Sequence, residues 1–345
     1  MVLFRARRER LAGILLGTAV GDALGLPFEG MSTRAISRRA PSLARFELFG
    51  STGYVSDDTE QSALVAQSLA RSGGLDVAAF VRCMRLALLG WFVRLPWGIG
   101  LGTLRACLRL MLGMKRSGVR SAGNGAAMRA AICGGYLADR PREERVGMVD
   151  ALSEITHTDP RAVQGGRFIA ELAAICVQSA RIEDVDVERA LAVVDEPELV
   201  AALDRARSLA ASGATIEEAA TTIGNTGYVV HSVPLALFCF ARFVDPATAI
   251  ASAVRAGGDT DTNAAIVGAL IGALHGEEGL PQPLVSNLAK GPFGATHLRQ
   301  LASDLAETPP TQTASYAWSV ALLRNLALYP VVLAHALVVL ASRAR

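Results

Sequence analysis

"LAGILLGTAVGDALG", residues 11–25, decides how the fold is read. Gly13, Gly17, Gly21 and Gly25 recur at i, i+4, so a helix here carries one smooth face that another backbone can approach closely. Much later "GALIGALHG", residues 268–276, repeats the device with Gly268, Gly272 and Gly276. The two stripes predict a close-packed helix pair. The basic residues upstream of the first stripe share the outline of a signal peptide, but the glycine face favours a structural helix.

Working outward, apolar residues at helical spacing fill stretch after stretch, from 8–26, 58–71, 76–93 and 101–114 through 125–138, 143–154, 161–179, 186–194, 198–211, 215–223, 232–241, 246–256 and 261–275 to further segments beyond 283. Alternating β-branched runs are absent. The expectation is an all-α, compact multi-helix bundle, with longer loops at 28–56, 95–100, 115–124 and 303–315. The last, "SDLAETPPTQTAS", breaks helix twice over and marks the best boundary. It divides the chain into a main domain, 1–303, and a C-terminal helical extension, 304–345, packed on it or on a partner. The apolar stretch "LALYPVVLAHALVVLA" is shorter than the ~20 residues of a membrane span and carries Pro330 and His335.

Composition narrows the function classes. Of 345 residues, 51% are hydrophobic and 19% charged, and the formal charge is +2, which argues against a strong nucleic-acid partner. The scattered arginines fit solvated faces, the only lysines being Lys115 and Lys290. Five widely spaced cysteines without a CxxC pair suit small core residues in a reducing, cytoplasmic compartment. No histidine pair has helical ligand spacing, which argues against zinc.

Two acid clusters sit at helix starts. In "YVSDDTEQ", residues 54–61, Asp57 can cap a helix with Glu60 completing a capping box, but one cap leaves Asp58 unexplained. In "AGGDTDTN", residues 256–263, Asp259 and Asp261 follow two glycines and project to one side of an extended lead-in. Carboxylates mixed with hydroxyls are hard ligands suited to Mg²⁺, Mn²⁺ or Ca²⁺. If the two starts meet, cations would make the crowd of acids tolerable; if they do not, each is a separate cap. A Gly-Asn-Gly turn at 123–125 before a helix can offer amides to a phosphate, or be an ordinary cap. His157, before a helix opened by Pro160, is by itself unremarkable.

Taken in order, "GDALGLPFEG", "VSDDTEQSALVAQSL", "GIGLGT", "GNGAAMR", "THTDP" and "GGDTDTNAAIVGALIGALHG" resemble the ADP-ribosylglycohydrolase family, from about residue 10 to 277. Each motif is weak; six in one order are specific. The resemblance implies an all-α fold with a metal cleft holding two Mg²⁺ or Mn²⁺ ions. It places the metal ligands on Ser56, Asp57, Asp58, Asp259, Asp261 and Thr262, and catalytic roles on Glu29 and Asp58. ADP-ribose contacts fall on Gly98, Gly100, Ser121, Gly123, Asn124 and His157. The implied reaction is hydrolysis at the distal ribose, releasing ADP-ribose from a modified protein side chain; a small conjugate such as O-acetyl-ADP-ribose, a modified nucleic acid, or non-catalytic ADP-ribose binding are the alternatives. Two positions depart from the family pattern: Ile132 stands where proline is frequent, and Gly98 where some arginine-specific members carry aspartate.

Overall fold

The glycine face of the opening helix, Val2–Gly25, lies directly on the helix Thr260–His275. A Cβ added at Gly13, Gly17, Gly21 or Gly25 would stand 2.3, 2.0, 1.9 or 2.3 Å from a backbone oxygen of the partner, and one at Gly268 or Gly272 would strike Gly17 or Gly13 in return. Only glycine permits that approach, so the two stripes specify this pair and its register. The opening helix is also long and apolar enough, over Ala6–Phe28, to cross a membrane; here residues 11–28 are all buried within the chain. Burial on all sides explains its apolar circumference.

The computed structural model describes residues 2–307, 310 and 313–343. Among these, helices follow one another with only isolated β-bridges between loops, which is the all-α architecture that the periodicity predicts. Around the central pair pack the helices Pro160–Gln178, Val229–Arg242, Pro246–Arg255 and Ala295–Ala306. The helix Asp57–Arg71 crosses the opening helix so that its N-terminus arrives beside the start of the Thr260 helix. That meeting positions the site.

Several boundaries differ from expectation. A short helix, Thr33–Arg39, lies inside the expected loop 28–56; it lacks apolar periodicity and starts instead from the Ser32 side chain, which accepts from Ala35 N–H. After the Gly-Asn-Gly turn the chain runs as turns, and the helix opens only at Ala130 and ends at Tyr136. The arginines are not all solvated: Arg94 and Arg129 are fully buried. All five cysteines are free, and four are buried.

The helix Ala295–Ala306 runs through position 303, and the paired prolines of the expected linker fall partly outside the described residues. The closing helix, Trp318–Arg343, docks on this chain's own core. Trp318, Asn325 and Tyr329 donate to the carbonyls of Gly90, Arg94 and Pro96. Arg324 donates to Val55 O at 2.7 Å and pairs with the buried Glu60, and Leu328 packs on Leu26 and Trp97. These contacts hold the two loops that border the site.

Candidate active site

The Asp57 helix begins without a cap of its own. Ser56 occupies the N-cap position, yet its side chain makes no capping bond. The cap comes from the opening helix: Asp22 accepts from Ser56 N–H at 2.9 and 3.0 Å, from Thr59 N–H at 3.1 Å and from the Thr59 hydroxyl at 2.5 Å. One buried carboxylate thus does both halves of a capping box from another helix. The expected box between Asp57 and Glu60 does not form, because Glu60 turns away to accept from Trp91 Nε1 and pair with Arg324. Asp57 and Asp58 are thereby released for other work. Asp57 accepts from Gln61 Nε2 at 2.9 Å, and Asp58 from Ser56 Oγ at 3.4 Å.

The second helix start is built by backbone proximity. Gly257 and Gly258 have φ of 75° and 73°, and a Cβ on Gly258 would lie 2.2 Å from Asn225 O. Asp259 then sits at the N-cap without capping, and accepts from Asn124 Nδ2 at 2.8 Å. Asp261 belongs to the first helical turn, since the helix starts at Thr260; the two acids do not share an extended lead-in. The Thr260 hydroxyl donates to Gly25 O at 2.8 Å, tying this start to the opening helix. The two starts meet where Thr262 Oγ1 donates to Asp58 Oδ2 at 3.2 Å.

The electrostatics of this meeting are severe. Burial first, then mutual repulsion with Asp22, Glu29 and Asp259 among others, lifts Asp57, Asp58 and Asp261 well above the ordinary carboxylate range. Asp22 is pushed up to about 6 by burial, against the pull of the hydrogen bonds it accepts from Ser56 and Thr59. Asp58 Oδ1 and Asp261 Oδ1, one from each cluster, are buried without a hydrogen-bond partner. Among the described residues no three His, Cys, Asp or Glu side chains already close into a metal-holding group. Here the carboxylates are interleaved with the hydroxyls of Ser56 and Thr262.

A cavity of about 300 Å³ opens beside the clusters. Glu29, Asp57, Asp259, Asp261 and Thr262 line it, together with Gly98, Gly100, Ser121, Gly123, Asn124 and His157. Ser56 and Asp58 are buried off its wall, Asp58 touching it through Thr262. Gly98, at φ 82°, would place a Cβ 3.1 Å from Asp57 Oδ1, so a side chain there is both strained and crowded. His157 is held neutral, its pKa pulled down to about 3 by burial and then by Arg129. The Gly-Asn-Gly turn contributes Asn124 and glycine backbone to the wall, but no helix N-terminus.

A family model described as ADP-ribosylglycohydrolase matches residues 5–315. The chain belongs to the ADP-ribosylglycohydrolase family. It is 32% identical to an uncharacterized protein of Archaeoglobus fulgidus, over 77% of this chain and 87% of that one. It is 27% identical to the ADP-ribosyl-[dinitrogen reductase] glycohydrolase of Rhodospirillum rubrum, over 81% and 90%, and 25% identical to the human ADP-ribosylhydrolase ARH3, over 79% and 87%. A solved chain described as an ADP-ribosylglycohydrolase-related protein complex superposes with a TM-score of 0.69 at 25% identity, covering 88% of this chain and 99% of that chain.

Family membership does not account for every residue the site depends on. Asp22 was legible only as the single charged residue of the apolar stretch 11–28, the one sequence sign that it must have buried partners. Gln61 and Arg129 gave no sign, because their partners lie far along the chain. A larger groove, about 900 Å³, lies between the helices Asp184–Leu191, Pro197–Ala211 and Val229–Arg242. Its charged rim is self-neutralised, Arg207 pairing with Asp184 and Glu188 and Arg181 with Glu183.

Proposed function

We propose that this protein hydrolyses the glycosidic bond at the distal ribose of ADP-ribosyl groups, with two Mg²⁺ or Mn²⁺ ions, releasing ADP-ribose from a modified protein side chain. The observation that carries the proposal is the convergence of two acid-bearing helix starts on one cavity, with an unpartnered carboxylate oxygen from each. Oxygen-only donors, crowded and buried, fit hard divalent cations. Ser56, Asp57, Asp58, Asp259, Asp261 and Thr262 would hold them.

When bound, the ions supply a water of lowered pKa and an anchor for ribose hydroxyls. Glu29, on the cavity wall beside Asp57 and Asp261, accepts the proton of the attacking water. Asp58, fixed by Ser56 and Thr262, keeps its second oxygen directed away from competing donors. Positive charge developing at the anomeric carbon is stabilised by the surrounding carboxylates. Asn124, Ser121 and the glycines of the wall receive the rest of the ADP-ribosyl group, with His157 as a neutral hydrogen-bonding partner.

The linkage is tested by measuring free ADP-ribose released from arginine-, serine- and acetyl-linked substrates with Mg²⁺, with Mn²⁺ and with chelator. The expected result is chelator-sensitive release from at least one linkage. Because Gly98 stands where some arginine-specific members carry aspartate, serine and acetyl linkages are the expected positives. Release that persists undiminished in chelator would contradict the cation requirement, and no release from any substrate would contradict the hydrolase reading.

A further inference from the structure

We propose that Arg129 is a positioning residue that sets hydrogen-bond polarity on both walls of the cavity, holding His157 as an Nε2–H donor through Thr156 and Asp57 as an acceptor through Gln61. Arg129, Thr156 and Gln61 are fully buried, and His157 is 2% exposed. Arg129 forms no ion pair among the described residues; burial lowers its pKa to about 10, which leaves it charged at neutral pH. Its two terminal nitrogens donate to different partners, Nη1 to Gln61 Oε1 and Nη2 to Thr156 Oγ1.

Each link fixes the next. Guanidinium can only donate, so the Gln61 oxygen faces Arg129 and the Gln61 amide nitrogen faces Asp57 Oδ2, at 2.9 Å. The Thr156 oxygen likewise accepts from Arg129, and its own proton needs an acceptor. Among the described residues the one within reach is His157 Nδ1, at 2.8 Å. If Nδ1 carried the proton instead, the Thr156 hydroxyl hydrogen would be buried unpaired, a cost of about 1–3 kcal/mol. The imidazole proton therefore resides on Nε2, which faces the cavity among glycines: a Cβ at Gly102, Gly125 or Gly123 would come within 2.8, 3.2 or 3.4 Å of it.

The consequence is a statement about the ligand. The atom meeting His157 is an acceptor, a phosphate, hydroxyl or carbonyl oxygen, and a ligand presenting N–H or a cation there is disfavoured. Assigning that oxygen to ADP-ribose rests on the function proposed above; the relay itself does not.

The test is the imidazole ¹⁵N spectrum of the metal-free full-length chain, with His157 assigned by His157→Gln, together with calorimetric ADP-ribose binding by the Mg²⁺-supplied chain. The expected result is an Nε2–H tautomer that does not change between pH 6 and 8. Thr156→Val removes only the hydroxyl and is expected to release the tautomer and weaken ADP-ribose about tenfold. Thr156→Ser is expected to restore both, which a merely structural role for the side chain does not require. An Nδ1–H tautomer or an imidazolium in the wild type, or an unchanged tautomer in Thr156→Val, overturns the relay. A correct tautomer in a chain that binds no ADP-ribose upholds the relay and contradicts the proposed ligand.

Discussion

The two acid-bearing helix starts reach the same cavity by different physical means. The Asp57 start is held by charge: Asp22 supplies its cap from a neighbouring helix, and Arg324 grips Val55 and Glu60 from the far end of the chain. The Thr260 start is held by closeness: glycines let two backbones touch, and Thr260 fastens the end to Gly25. A capping requirement met from outside frees the local acids, and a helix seam built without side chains leaves no slack for those acids to drift apart. Each device can be broken separately.

The largest effect is expected at the seam. Gly21→Ala drives a Cβ to within 1.9 Å of Ala264 O, a backbone atom that cannot swing away, and should cost about 3 kcal/mol or more. Gly90→Ala, whose Cβ meets nothing within 4 Å, should instead gain about 0.5–1 kcal/mol from helix propensity. Urea denaturation of the two variants checks the contrast; equal effects would mean that the seam is not tight.

Next comes the cap. Asp22→Ala leaves the amides of Ser56 and Thr59 buried without their acceptor, and should cost about 2 kcal/mol and lower ADP-ribose release more than tenfold. Asp22→Asn keeps one acceptor oxygen and should lose less of both. An Asp22→Ala chain with wild-type turnover would show that the cap does not place Asp57 and Asp58.

The smallest effect at neutral pH is that of His157, which bears on acid stability. His157 has a folded pKa of about 3 against an ordinary value near 6.5, so the unfolded chain binds the extra proton between those values. Its contribution is therefore complete above about pH 6.5 and is lost as pH falls toward 3. The raised carboxylates act in the opposite sense, favouring the folded chain at low pH and losing that contribution as pH rises through their folded values. His157→Gln should flatten the acid side of the melting curve relative to wild type while changing little at pH 7. A variant that loses stability in parallel with wild type below pH 6 would contradict the neutral, buried histidine.

Much of this was legible in the sequence because it is local or periodic. Glycine spacing gave the central helix pair, and acids next to helix starts marked both halves of the site. What sequence could not supply is who caps or pairs with whom across the chain. Asp22 replaces a capping box that the local pattern favoured, and Glu60 abandons that box for Arg324, 264 residues away. Arg94 and Arg129 looked like surface charge because nothing nearby hints at their burial. The turn after Asn124 outlasted its helical pattern because close packing around His157 and Thr103 holds Gly125 there.

The most direct test is Mn²⁺ binding to the metal-free chain, followed by electron paramagnetic resonance, in wild type and in Asp58→Asn and Asp261→Asn. If the two helix starts form one cage, wild type binds two ions per chain, and either substitution, one from each start, weakens binding at least tenfold with the helical circular dichroism unchanged. Wild-type affinity in both variants would mean that the starts meet without holding cations between them.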